Sequence, residues 1–428
     1  MKYRHELYPM LSVEEALEKV LTMFHPLEAE RAPVLETLGR VLAEDVIAPE
    51  DIPPHANTAM DGYAVQAADL AGAGPESPKR LRVIENLAAG YVASERVTPG
   101  TAIRIMTGAP MPEGADAVIP FEETHQEGEW VDCFAAMRVG ENVRQAGEDV
   151  RAGECTLARG MRLRPQEIGM LAALGYGEVP VIRRPRVAIL ATGDELVDIG
   201  APLLPGKIRN ANSYSNAAQV LQYGGVPLIL GIARDTVEDL TAKIRAGLAQ
   251  GADLLITSGG VSVGDFDVVK KVLAAEGEIS FWRVRMKPGK PLACGHITAE
   301  VDGAPRTVPL LGMPGNPVST MVSFELFARP AILTMLGVQD VRKPTFEAIL
   351  DEGLACKDER RHYLRVNITR RADGLHAALT GEQGSGILSS MVRANGLAII
   401  PEDWDHAPAG ARVQVLLFEA GLFTEGIE

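Results

Sequence analysis

The chain has 428 residues, 46% hydrophobic and 5% aromatic, and its 57 acidic against 42 basic residues give a formal net charge of -15. At roughly 150 residues per domain this length predicts about three domains, with about three quarters of the chain surface available for burial. The acidic excess repels nucleic-acid phosphates and anionic membrane surfaces, so neither is an expected partner.

Cys133, Cys155, Cys294 and Cys356 lie far apart with no CxxC pair, which argues against a structural zinc site and a disulfide framework and fits a reducing compartment. The opening MKYRHELYPMLSVEEALEKVL is charged throughout, without an apolar signal core, and no continuous apolar span follows. The expectation is a soluble, cytoplasmic protein.

From Leu11 to Val46 apolar residues recur at helical spacing, and Ser12 with Glu15 forms a capping box, which predicts amphipathic helices. Pro49, Pro53 and Pro54 break this pattern. Short β-rich runs such as Arg82-Val83-Ile84 and Ala117-Val118-Ile119 then alternate with Gly and Pro punctuation. Arg164 to Gly177 reads as a helix closed by glycines. The predicted organisation is a discontinuous linking module (1–50 with 151–183), a projecting β-rich insertion (51–150), an α/β domain (184–335) and a C-terminal β domain (336–428).

In the α/β segment, strand-length runs at Val187-Leu190, Val226-Ile232, Ala252-Ile256 and Val308-Leu311 alternate with helical stretches near Ser213-Tyr223, Thr236-Gln250 and Asp267-Glu276, a doubly wound pattern. Beyond Gly337, polar and apolar residues alternate (His362 to Asn367, Arg412 to Leu416) around a turn at Ala372-Asp373-Gly374, which predicts a small β barrel or sandwich.

Ligands bind beyond the carboxyl ends of parallel strands. Here those ends carry Thr192-Gly193-Asp194-Glu195, Arg234-Asp235, the run Ser258 to Asp267, and Gly312 to Pro317. Each alone resembles an ordinary strand-to-helix turn with an N-cap; four on one rim predict a site. The Ser258-Gly259-Gly260 segment lets backbone amides approach an anion, helped by a helix starting near Asp267. It is not a Walker A loop, because Asp265 stands where a Lys is required. Gly260, Ser262 and Gly264 match GxSxG, but no HGGG-like segment precedes them and the surrounding carboxylates oppose an oxyanion, which leaves a serine esterase the minor alternative.

Arg283, Arg285 and Lys287 alternate along one expected strand, and Pro288-Gly289-Lys290-Pro291 sets a second Lys in a rigid turn, together an anion anchor. The eight histidines show no metal-ligand spacing and read as surface or packing residues. His55 to Val65 reads as a binding loop, and Arg104 to Pro110 and Gly147 to Val150 add a hydroxyl, a rigid turn and a carboxylate.

Eight segments, NTAMDGYAV, RIMTGAPMPEGADAVIP, GEDVRAGE, LATGDEL, TSGGVSVGDFD, MKPGKP, LLGMPGNPVS and GEQGSGILSSMVRANGLAIIP, occur in the order typical of the MoeA family of molybdopterin molybdenumtransferases, and the chain resembles that family over about residues 50 to 400. The resemblance implies an elongated homodimer with four domains per subunit, including a molybdopterin-binding-type α/β domain and a barrel-like C-terminal domain. It implies insertion of molybdate into adenylylated molybdopterin, in the presence of Mg2+, with release of AMP, and transient contacts with other molybdenum cofactor biosynthesis proteins. It also implies that the site lies between subunits.

Carried over residue by residue, the family pattern marks Asp61, Thr107, Asp149, Glu195, Asp235, Asp267, Lys287, Lys290, Pro314, Pro317 and Ser385 as the functional set, the first six expected as catalytic; Glu195, Asp235 and Asp267 are the expected metal ligands. Lys287, Lys290, Pro314, Gly315, Pro317 and Ser385 are the expected substrate-binding residues, together with the anion-binding loop read above from its own residues, Ser258, Gly259, Gly260, Ser262 and Gly264. A non-catalytic scaffold of the gephyrin E type is the alternative, although a scaffold has little need of so many carboxylates at strand ends.

Overall fold

The structure is a computed structural model that describes residues 9–259, 277–301, 303–418 and 424–425. The chain forms two compact units. One comprises Met1–Glu30, Gly39–Val41 and Val181–Glu428, the other Arg31–Leu38 and Leu42–Pro180.

The first unit is built on a seven-stranded sheet in the order Met10–Leu11, Gly277–Val284, Pro291–Val301, Ala304–Met313, Leu254–Ser258, Arg186–Thr192 and Val226–Ala233. The last four strands run parallel. Pro291–Val301 pairs antiparallel with both of its neighbours, which makes the sheet mixed. All five residues of Leu254–Ser258 are buried, as a strand covered on both faces requires.

Alternate residues feed two cores. Val187 and Ile189 pack with Ala217 and Val220 of the helix Ala211–Gln222, while Ala188 and Leu190 pack with Leu240, Ile244 and Leu248 of the helix Val237–Ala249. The doubly wound reading therefore holds for the parallel strands, with an antiparallel extension at one edge. Asp267-Glu276, the third expected helix, lies outside the described residues.

The C-terminal strands Thr345–Leu350, Arg361–Arg371, Gly374–Leu379, Gly396–Ile400 and Arg412–Leu417 close into a five-stranded barrel, because Arg361–Arg371 pairs with both Gly374–Leu379 and Gly396–Ile400. Leu364, Val366, Ile368, Val413 and Val415 fill it. A Cβ at Gly396 would meet the Leu416 carbonyl oxygen at 2.3 Å, so closure at this point depends on glycine.

In the second unit six strands form one sheet, in the order Ala117–Pro120, Gly62–Val65, Thr101–Ile105, Lys79–Leu87, Trp130–Cys133 and Thr124–Glu127. The helix Pro165–Ala173 opens with Pro165 at its first turn, and the Glu167 carboxylate accepts from the Arg164 backbone N–H at 2.8 Å.

Two expectations are corrected. Only Val13–Leu21 of the Leu11 to Val46 stretch is an α-helix, capped by Ser12 and Glu15 as expected; Pro26 and Pro33 stop its continuation, and Ala29–Pro33 is a strand. Arg283, Arg285 and Lys287 do not share one strand. Gly277–Val284 ends before Arg285, and Met286–Lys287 pairs instead with Arg361–His362 of the barrel. Among the described residues no helix is long and apolar enough to cross a membrane.

Candidate active site

The strand ends of the α/β sheet converge. Thr192 lies beside Ala233 and Ser258 beside Met313, and Gly259 N–H donates to the Met313 carbonyl at 3.1 Å. Asp194 Oδ1 accepts from the Asp235 backbone N–H at 3.4 Å, which joins two of the acidic turns. Gly193 has φ +140°, and a Cβ there would stand 2.3 Å from Glu195 Oε2, so the Glu195 carboxylate folds back against a backbone that only glycine leaves bare.

A Cβ on Gly315 would lie 3.6 Å from the Gly259 α-carbon, and the Gly315 carbonyl accepts from Asn212 Nδ2 at 2.7 Å. Among the described residues the buried hydroxyls of Thr257 and Ser258 have no hydrogen-bond partner. Asp194, Glu195 and Asp235 are exposed. Gly260, Ser262, Gly264 and Asp267 lie outside the described residues.

The barrel contributes to the same rim. Ser385 Oγ accepts from Asn316 Nδ2 at 3.0 Å, and the Ser385 carbonyl accepts from Val318 N–H at 3.1 Å, which seats the serine on the Pro314-Gly315-Asn316-Pro317 turn. Proline at the first helical position is preorganised to open the helix Pro317–Ser323 behind that turn.

Beneath the serine loop lies Arg365, 1% exposed and not singled out in the sequence reading. Its Nε donates to Ser390 Oγ and its Nη2 to the Gly384 carbonyl, both at 3.1 Å. Burial pushes its guanidinium pKa down to about 10. The sequence signal was an arginine set among apolar residues of a strand.

Lys287 and Lys290 sit on the turn that crosses from the sheet to the barrel. Gly289 at its tip faces Ser319 and Ser323 of the helix that Pro317 opens. Lys287 Nζ donates to Asp358 Oδ2 at 3.0 Å, and the same carboxylate accepts from Arg360 Nη2 at 2.6 Å and meets His362 Nε2 at 2.7 Å. Burial pushes the Asp358 carboxyl up, but hydrogen bonds from Arg360, His362 and Lys287 outweigh it and hold the group well below the usual carboxylate range.

In the second unit, backbone hydrogen bonds tie two of the three expected loops to each other and the third to the residues just before the first. Gly108 N–H donates to the Thr58 carbonyl, Ala59 N–H to that of Asn142, and Asp149 N–H to that of Ile52. Asp61 Oδ1 accepts from both the backbone N–H and the hydroxyl of Thr107, each at 2.7 Å, and these bonds hold Asp61 below its ordinary pKa. Asp61, Thr107 and Asp149 are all exposed. Among the described residues no group of three or more His, Cys, Asp or Glu side chains could enclose a metal ion. The four cysteines are free.

An α/β layer with glycine-rich and acidic turns at its strand ends, joined by a serine loop and a lysine turn, is the layout of an enzyme for an anionic small molecule. Family models agree along the chain. The MoeA N-terminal region (domain I and II) matches residues 11–175, a probable molybdopterin binding domain residues 188–334, and the MoeA C-terminal region (domain IV) residues 347–418. Molybdopterin molybdenumtransferase 2 of Mycobacterium tuberculosis is 38% identical over 412 residues, 95% of this chain and 99% of that protein. Molybdopterin molybdenumtransferase of Bacillus subtilis is 35% identical over 412 residues, covering 95% of this chain and 94% of that protein. A solved molybdopterin biosynthesis MoeA protein from Pyrococcus horikoshii OT3 aligns with a TM-score of 0.79 at 32% identity, covering 96% of this chain and 100% of that one. The chain belongs to the MoeA family.

Proposed function

We propose that this protein inserts molybdate into adenylylated molybdopterin, with water cleaving the adenylyl phosphate to release AMP, and so forms molybdenum cofactor. The observation that carries the reading is the meeting of the Gly315 turn, the Gly259 strand end and the Ser385 loop on one rim, in a chain of the MoeA family.

The substrate is a polyanion and the metal source a tetrahedral dianion, so both need N–H donors. Lys287, Lys290 and the bare backbone around Gly259 supply them. Asp61, kept ionised by its two bonds from Thr107, is suited to orient a water or a hydroxyl. Asp149, Ser258, Pro314, Pro317 and Ser385 complete the proposed set of site residues.

Mg2+ characteristically takes one or two carboxylates and completes its octahedron with substrate phosphates and water. Glu195 and Asp235, exposed at the ends of adjacent strands, fit that donor set, with Asp267 completing the family pattern. When bound, the ion would offset phosphate charge; the chain's own groups bind and orient the substrate.

The proposal includes a cytoplasmic homodimer in which Asp61, Thr107 and Asp149 of one subunit complete the rim of the other, with transient contacts to other cofactor-assembly proteins. Incubating the purified protein with adenylylated molybdopterin, molybdate and Mg2+ should release AMP and yield a product that reactivates a molybdenum-free apoenzyme. Binding without AMP release would refute the enzyme and favour a scaffold.

A further inference from the structure

Lys287 is already held. Its ammonium donates to Asp358, and two donors from the barrel fix that carboxylate independently: Arg360 on the same oxygen at 2.6 Å, and the buried His362 at 2.7 Å from the other. The spacing is set by main chain, because Met286–Lys287 pairs in parallel with Arg361–His362, and the partners lie 71 residues apart in sequence.

The lysine side chain is 48% exposed and the aspartate 26%, so the ammonium faces solvent while its partner is half sheltered. An ammonium has three N–H donors; one goes to Asp358, which leaves two for an incoming anion. Arg360 offsets the charge that Asp358 brings, so Lys287, Arg360 and Asp358 together still present one net positive charge. A lysine that must be immobilised during binding gives up rotamer freedom, and that loss weakens affinity roughly tenfold.

We propose that Asp358 is a positioning residue that holds the Lys287 ammonium in place for the phosphate or molybdate oxygens before the substrate arrives, without touching the substrate itself. This rests on the reading of Lys287 as an anion-binding residue.

The test is steady-state AMP release by the full-length protein with Mg2+, once with adenylylated molybdopterin varied at saturating molybdate and once with molybdate varied at saturating adenylylated molybdopterin, the KM that moves identifying the anion, for Lys287→Ala, Asp358→Ala, Asp358→Asn and the double alanine variant. Asp358→Ala should raise KM roughly tenfold with kcat within about twofold, and the double variant should be no worse than Lys287→Ala. Asp358→Asn should stay within about threefold of the parent KM, because its amide oxygen still accepts from Lys287. Asp358→Leu fills the volume and gives the same comparison should the alanine variant not fold.

An unchanged KM in Asp358→Ala beside a raised KM in Lys287→Ala would overturn the proposal. So would effects that multiply in the double variant, since they would show a role independent of the lysine. If Lys287→Ala itself leaves KM unchanged, the anion-binding reading fails first and Asp358 falls with it.

Discussion

Replacing Arg365 by Met separates the anchoring of the serine loop from the stability of the barrel. The substitution removes the two side-chain hydrogen bonds, to Ser390 Oγ and the Gly384 carbonyl, but leaves the main-chain ties of residue 365 to Gln383. Hydrogen bonds from a charged donor are worth about 1.5–3 kcal/mol each, so roughly 3–6 kcal/mol of loop anchoring is at stake. Against this, the folded chain no longer buries an arginine that has no carboxylate partner among the described residues, a penalty of several kcal/mol.

The two terms nearly cancel in the folding equilibrium. Net stability should change by less than about 2 kcal/mol, which calorimetry would read as a midpoint shift of under about 8 °C. They do not cancel at the rim. Among the described residues Ser385 keeps its bonds to Asn316 and Val318 alone, and kcat/KM for AMP release should fall at least about tenfold, the equivalent of about 1.4 kcal/mol of lost loop positioning. Turnover within twofold of the parent would mean that Arg365 only fills space. Global unfolding would mean that it holds the barrel and not the loop.

Asp61→Ala should abolish AMP release while the midpoint stays unchanged, because the carboxylate is exposed; Thr107→Val, which keeps the backbone donor to Asp61 but not the hydroxyl, should fall between parent and Asp61→Ala. Mixing Asp61→Ala with Glu195→Ala subunits should restore about a quarter of parental activity, since half the dimers are mixed and each has one intact composite site; demonstrated subunit exchange with no recovery would refute a shared site. His376 is held above its ordinary pKa by hydrogen bonds from its ring to Asp351, then Asp373, against burial, so its contribution to stability is fully present below the ordinary imidazole value and is lost as pH rises through the raised one. The midpoint gap between parent and His376→Gln should therefore be wider near about pH 5.5 than near about pH 9, and a gap independent of pH would dismiss the ion pairs. Ser262→Ala should retain metal insertion, and covalent labelling of Ser262 by an organophosphonate together with ester turnover would contradict that.

The strand ends were legible because each is a local signal: an apolar run that stops at Gly193, Gly259 or Gly315 says where a parallel strand gives way to a turn. The partners of those turns were not. Nothing near Lys287 in sequence announces Asp358, and Arg365 looks like one more polar residue in an alternating strand until the Gly381 to Ile387 loop is laid over it. The helical spacing from Thr22 to Val46 misled because apolar periodicity was read through Pro26 and Pro33, whose missing N–H groups override it. The supposed Arg283 to Lys287 strand failed for another reason. Its alternation is real, with Val284 and Met286 buried and Arg285 and Lys287 exposed, but the backbone changes sheets midway, and only the pairing partners reveal that.

That change of sheets makes the barrel inseparable from the α/β layer. Met286 is fully buried, Lys287 takes its counter-ion, Asp358, from the turn that precedes the strand Arg361–Arg371, and Ser385 rests on the turn that opens the helix Pro317–Ser323. A chain cut just before the barrel would bare an apolar side chain and an unpaired strand edge, and would strip the rim of its serine and Lys287 of its counter-ion at one stroke. In this protein the layer and the barrel therefore depend on each other, so insertions can vary the loops of either, whereas removing one disturbs both the fold and the rim.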